Sequence, residues 1–290
     1  MSTTFVSATA RRQPGTRATL LSVQGITLIG LVVIGLGPLY WAVKGAVSPP
    51  TELIANPLAL WPAEPRLDNF ATAWGDLSVG QYLLNSAWIV LGSWAVQLFV
   101  AATAGFALSV LRPRIGPYVY AGILATMFVP YSVSMVSLFL TVIDLPFVHL
   151  NLANTYWAIW LPAGASAFNV LIAKRFFDAL PGELFDAARV DGANTWTLLT
   201  RIVLPLSRPI LAVISLLAVM HAWKDFIWPL VVITDPAKQP ISVALTTLAD
   251  QAPRDELIAA MVLALVPPVL IFLVFQRYVV AGLGFTGVKG

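Results

Sequence analysis

Cysteine is absent from the 290 residues. That excludes a disulfide-stapled fold, thiolate metal sites and cysteine nucleophiles. Histidine is scarce, with only His149 and His221 present, which argues against a histidine-rich metal centre. Only 11% of residues are Asp, Glu, Lys or Arg, against about 25% in an ordinary soluble domain. So few solvated side chains cannot cover a water-facing globule of this size. No G-x-x-x-x-G-K-[ST] phosphate loop occurs, and no nucleophile–base arrangement suited to catalysis stands out. The formal charge is +3, but the basic residues sit between long apolar runs and form no stripe, which excludes a nucleic-acid partner.

What fills the chain instead is apolar: 58% of residues are hydrophobic and the mean hydropathy is +0.82. A helix needs about 20 mostly apolar residues to cross the hydrocarbon core. Six segments qualify, at about 26–43, 83–107, 118–142, 155–173, 209–232 and 257–276. Their apolar runs are continuous and lack the polar alternation of barrel strands. The sequence therefore predicts an all-α membrane protein with six transmembrane helices. The first span is longer than a signal-peptide core of about 7–15 residues and reads as an uncleaved anchor. The bounds are a 1–25 N-terminal segment, a 26–279 membrane domain and a 280–290 tail. Proline falls inside or beside most spans, at Pro38, Pro130, Pro162, Pro229 and Pro267–Pro268. Each removes a backbone donor and favours a kink.

Lys and Arg concentrate in alternate connections. Arg11, Arg12 and Arg17 precede the first span; Arg112 and Arg114 follow the second. Lys174, Arg175, Arg189, Arg201 and Arg208 follow the fourth, and Arg277 and Lys289 the sixth. The other side holds only Lys44, Arg66, Lys238 and Arg254, and is rich in Asp and Glu. Both termini and the 174–208 connection are thus expected on the cytoplasmic side of a multi-pass protein.

That connection contains the informative stretch. Pro181-Gly182-Glu183 opens a short helix, with acid near its positive end. Ala187 and Ala188 are strong helix formers that let another backbone approach closely. Asp191-Gly192 supplies a left-handed stop. A second helix is expected from about Asn194-Thr195, with Leu198, Leu199, Ile202 and Val203 forming a stripe suited to the membrane surface and Pro205 ending it. On helix physics alone this is either a transmitter for a cytoplasmic partner or a hairpin with no partner.

The segment resembles the coupling-helix motif of inner-membrane permease subunits of ABC importers. That motif runs acidic-Ala-Ala, three residues, Gly, nine residues, Ile-x-Leu-Pro. Asp186-Ala187-Ala188, Gly192, Ile202 and Leu204-Pro205 stand at that spacing. Asp186 replaces the usual Glu, which keeps the charge but shortens the reach by one methylene. The likeness is closest to the second permease subunit of carbohydrate importers, the maltose-transporter type. It is carried also by 65–70, Tyr82 to Ser86, Asn154-Thr155-Tyr156, 223–229, Gln276-Arg277-Tyr278 and the final Gly287-Val288-Lys289-Gly290.

The resemblance implies a type I importer-like bundle in a bacterial inner membrane. It implies a homologous second permease, two copies of a cytoplasmic ABC ATPase, an extracytoplasmic solute-binding protein and a sugar substrate. ATP and Mg would sit on the ATPase, with no cofactor on this chain. Glu183, Asp186, Ala187, Ala188, Asp191, Gly192, Leu204 and Pro205 would couple to the ATPase, and Val288, Lys289 and Gly290 would reach into its dimer.

Charged groups at membrane depth are functional candidates. If the fifth span is one helix, His221 and Asp225 share a face. Either they line a path, with Asn85 as a further candidate, or Lys224 snorkels to the outer interface and Asp225 bonds within the bundle. Tyr131, Ser132 and Asn169 are further interior polar groups, explained equally by interhelical bonds. Trp157, Trp160, Tyr156 and Trp228 read as an outer aromatic belt or as stacking surfaces. The competing function is an ion-coupled secondary carrier acting without an ATPase. Its relay would have only His221, Lys224 and Asp225 to draw on.

Overall fold

The computed structural model describes residues 14–284. They form helices joined by turns, with one isolated bridge between Leu145 and Leu150. The chain divides into two compact units, residues 1–73 with 253–262, and residues 74–252 with 263–290.

In the first unit, α1 (Pro14–Ala46) is almost entirely apolar. Its mid-helix side chains are exposed, as a lipid-facing helix requires. Two short helices follow, α2 (Pro50–Ala55) and α3 (Asp68–Gly75). The 65–70 stretch straps the end of α1: the Arg66 amide donates to Val47 O at 2.8 Å and Asn69 Nδ2 donates to Ala46 O at 2.9 Å. Lys44, counted above as a loop cation, is buried against the Trp41 ring.

The second unit is built on α4 (Val79–Phe106), prolonged by a π turn over Ala107–Leu111. Then come α5 (Gly116–Thr126), α6 (Tyr131–Ile143), α7 (Trp157–Ala163), α8 (Ala167–Asp178), α9 (Gly182–Val190) and α10 (Thr195–Leu206). Helices α11 (Arg208–Lys224), α12 (Ile227–Val232) and α13 (Ile241–Gln251) complete it, and α14 (Arg254–Gly284) carries residues of both units.

Among the described residues three helices are long and apolar enough to cross a bilayer: Ala18–Ala46, Val79–Leu111 and Arg254–Gln276. One of the other expected spans, 118–142, is the bent pair α5 with α6 at 111°; a second bent pair, α10 with α11 at 82°, joins the connection to the start of the fifth expected span. Residues 155–173 are not one helix but α7 and α8, and 209–232 is divided between α11 and α12.

The breaks follow the prolines. A proline leaves the carbonyl four residues earlier without its helical donor. For Pro130 that position is Thr126, where α5 ends. For Pro229 it is Asp225, which is extended; its carbonyl accepts from the Ser242 hydroxyl at 2.8 Å. For Pro162 it is Ala158, whose carbonyl accepts from Trp228 Nε1 at 3.0 Å. Donors from other elements thus hold two of the freed carbonyls and the Val129 amide holds that of Thr126 at 3.2 Å, which is how broken helices persist out of water.

Two buried clusters pack this unit. One joins Ala101, Phe106, Val170, Ala173, Phe177, Phe185, Leu198, Leu199, Val203 and Ile214. The other joins Ile89, Val142, Leu152, Ala158, Ile159, Trp228, Val232 and Ile233. Gly105 lets α4 meet α8: a Cβ there would lie 2.9 Å from Ala173 Cβ and 3.1 Å from the Lys174 backbone nitrogen.

Candidate functional site

Helix α9 starts after Pro181, carries Glu183 in its first turn and Arg189 in its last. Both charges complement the helix dipole. Its end is a Schellman motif. The Gly192 amide donates to Arg189 O at 3.0 Å and the Ala193 amide to Ala188 O at 2.9 Å. That geometry needs the left-handed φ of +82° at Gly192. Asn194 then caps α10, its side-chain oxygen accepting from the Thr197 amide at 2.8 Å.

One face of α9 is fixed and the other is free. Phe185 inserts into the first cluster, with Ala188 and Ala193 packed against it. Glu183, Asp186, Ala187, Val190, Asp191 and Gly192 are exposed. The Ala-Ala pair therefore divides. Ala187 faces outward, whereas half-buried Ala188 packs inward, so only Ala187 offers the close approach expected of both. Asp186 pairs with Arg189 at 3.0 Å, one turn along. Leu204 packs against the same cluster and Pro205 is exposed.

The expected membrane-surface stripe of α10 is corrected. Leu198, Leu199 and Val203 are buried inside the unit, because Phe177 and Phe185 cover them. The sequence reading also passed over Phe185, the anchor, and over Leu184, Val190 and Trp196. These are 43%, 88% and 63% exposed and give the outer face an apolar character. The i, i+3 spacing of Phe185 and Ala188 was the available signal. Val288, Lys289 and Gly290 lie outside the described residues.

A cavity of about 540 Å³ opens where α7 gives way to α8 and α11 to α12. Ser93, Gln97, Asn169, His221, Lys224 and Asp225 line it. Helix α11 ends at Lys224, so His221 and Asp225 do not share a helical face as the sequence suggested, yet they reach one cavity. Ser93 Oγ and Asn169 Oδ1 are buried without a hydrogen-bond partner among the described residues. Unpaired polar atoms in an apolar chain want water or a hydroxylated guest. Tyr131 also lines this cavity.

Asn85 is not part of it. Its Nδ2 donates to Ala237 O at 2.8 Å and Gln239 O at 2.9 Å, while its Oδ1 accepts from Gln81 Nε2 and the Tyr156 hydroxyl. Ser86 Oγ accepts from the Ile241 amide at 2.8 Å, and Asn154 Oδ1 from the Asp235 amide at 2.9 Å. These residues latch the 233–241 loop. Trp228, grouped above with an aromatic belt, is a buried strut. Trp157 and Trp160 stack edge to face at 5.1 Å.

Broken helices around a cavity edged by a few polar side chains, in a chain otherwise clad in apolar ones, have the architecture a membrane permease needs. The family described as binding-protein-dependent transport system inner membrane component matches residues 97–284, and the chain belongs to it. It is 32% identical over 265 residues to the arabinooligosaccharides transport system permease protein of Halalkalibacterium halodurans, covering 90% of this chain and 93% of that one. The lactose transport system permease protein of Rhizobium radiobacter is 29% identical over 252 residues, 86% and 90% of the two chains. A bacterial ABC transporter involved in the import of the acidic polysaccharide alginate aligns with a TM-score of 0.81 at 22% identity, over 95% of this chain and 99% of that one. That likeness supports the fold. The chain is thus a multi-pass inner-membrane permease component and not itself an enzyme.

Proposed function

We propose that this chain is one permease of an ATP-driven, binding-protein-dependent importer of sugars or related polyol derivatives. The relatives' names support the solute class: arabinooligosaccharides, lactose, and sn-glycerol 3-phosphate in Brucella melitensis. The chain crosses the inner membrane six times with both termini in the cytoplasm, the fourth span (about 155–173) lying in the broken pair α7–α8 and the fifth (about 209–232) in α11–α12. The distribution of Lys and Arg supports this orientation.

A homologous second permease completes the path, and the cavity holding His221 and Asp225 is this chain's share of it. A binding protein delivers solute from outside; a solved structure of similar fold, TM-score 0.62 at 15% identity, is a bacterial alginate ABC transporter in complex with alginate pentasaccharide-bound periplasmic protein. Two copies of a cytoplasmic ATPase carry the ATP and Mg. Helix α9 docks on one of them through Glu183, Asp186, Ala187 and Val190, and Val288, Lys289 and Gly290 reach the same subunits. ATP shifts the bundle only through differential binding to its two states, and α9 is where that difference enters.

The observation that carries this reading is the division of α9. A helix bolted to the core by Phe185, and closed by Gly192, exposes an acidic and apolar face with no partner beyond Arg189 among the described residues. A rigid lever needs both properties. Asp186→Lys and Ala187→Trp, in proteoliposomes containing the whole importer, should each lower uptake at least about tenfold, equivalent to ~1.4 kcal/mol of coupling. Basal ATP hydrolysis should persist. Uptake at the wild-type rate by both variants would contradict the docking role.

A further inference from the structure

A second cleft, of about 680 Å³, lies where the π turn after α4, the start of α5 and the end of α8 converge. Arg112, Arg114 and Lys174 face it, with Asp178 as the one carboxylate. Both oxygens of Asp178 are engaged: Oδ1 accepts from the Ser109 hydroxyl at 2.8 Å and Oδ2 from Lys174 Nζ at 2.6 Å. Arg112 is held in left-handed backbone, φ +47°, and its Nε donates to Ser109 O at 2.7 Å. Among the described residues neither Arg112 nor Arg114 has a carboxylate in ion-pair range. The Lys174 ammonium also stands 5.2 Å from the Tyr120 ring. Two guanidiniums and an ammonium therefore share one cleft with a single, fully occupied anion.

The cleft borders an apolar skirt. Leu111, Ile115 and Tyr118 beside it are 45%, 66% and 81% exposed. Cations gathered beside exposed apolar side chains match a lipid rather than a soluble anion or a protein. Guanidinium forks suit phosphate oxygens. Topology alone requires positive charge on this side, but not cations gathered in a pocket with their carboxylate already satisfied.

We propose that this cleft binds the phosphodiester headgroup of an anionic phospholipid, with its acyl chains against Leu111, Ile115 and Tyr118. Only the assignment to the inner leaflet rests on the orientation given under Proposed function. Labelling of a cysteine at Ala187 tests that orientation separately.

The test uses the assembled importer extracted from nanodiscs of phosphatidylethanolamine with 20% phosphatidylglycerol, followed by native mass spectrometry of retained lipid. Wild type should retain phosphatidylglycerol above its bulk fraction. Arg112→Gln with Arg114→Gln should lower that retention about 25-fold, since each basic group near a membrane surface is worth about fivefold. Arg114→Gln alone, at an exposed position, should give an intermediate loss with folding intact. Inorganic phosphate at 10 mM should not displace the lipid; displacement would make the site one for free phosphate and overturn the headgroup assignment. Equal retention by wild type and double variant overturns the proposal. So does loss of ATPase association in the double variant with lipid retention unchanged, which would make the cleft a protein-docking surface.

Discussion

Asn85 makes four hydrogen bonds and is 3% exposed. Leucine in its place would leave two loop carbonyls and the Tyr156 hydroxyl without their partner, at about 1–3 kcal/mol for each group that water cannot reach. Asn85→Leu should therefore lower the thermal midpoint and speed proteolysis in the 233–241 loop; an unchanged midpoint and cleavage pattern would contradict the latch. This role was not legible in the sequence. An asparagine in an apolar helix looks the same whether it meets a solute or a loop 150 residues away. Asp178 gives a pH test. Burial pushes its carboxyl up, but hydrogen bonds from Lys174 and Ser109 and the charges of Lys174 and Arg112 outweigh that and hold it below the ordinary carboxylate range. A depressed folded value contributes stability that is whole above the unfolded pKa, about 4, and is lost as pH falls through the folded one. In detergent, Asp178→Asn should therefore flatten the loss of stability below about pH 4 relative to wild type. Superimposable pH profiles would contradict this.

Elements were legible where length and hydropathy decide, and illegible where a freed carbonyl decides. The spans at 26–43, 83–107 and 257–276 lie inside single helices, because nothing in them interrupts the apolar run except prolines that the helix absorbs. The expected continuity of 209–232 fails at Asp225, whose carbonyl Pro229 releases and Ser242 captures; 155–173 divides after Ala163, just past Pro162, whose freed Ala158 carbonyl Trp228 captures. That capture depends on Trp228 and Ser242, far along the chain from their acceptors. Trp228→Phe loses the donor and leaves a smaller ring in a buried site, so it should destabilise the unit by about 1–3 kcal/mol or more, read as a lower melting temperature. No change would mean that the Ala158 carbonyl has another donor. At Gly105, valine would drive its side chain into Ala173 and the Lys174 backbone, at about 1–3 kcal/mol or more. The expected readout is reduced membrane accumulation, with Gly122→Val, where nothing lies within 4 Å, as the tolerated control.

At the scale of the whole molecule, composition and the 181–205 spacing pointed to a membrane permease, and family membership bears that out. The motif gave the place of α9 and of its glycine stop. It could not say which side of the helix is anchored, because that depends on Phe177, Leu198 and Val203 meeting Phe185 in space. The central claim is that the exposed face of α9 meets a nucleotide-hydrolysing partner on the cytoplasmic side. The most direct measurement is cross-linking from a single cysteine at Ala187 in native membranes, with a cysteine at Thr247 as the outer-side control. The account predicts that Ala187→Cys joins the ATPase subunit with a yield that changes on adding ATP, and that an impermeant thiol reagent outside labels only Thr247→Cys. A cysteine at Ala187 that is labelled from outside, or never joins the ATPase under any nucleotide condition, would contradict it.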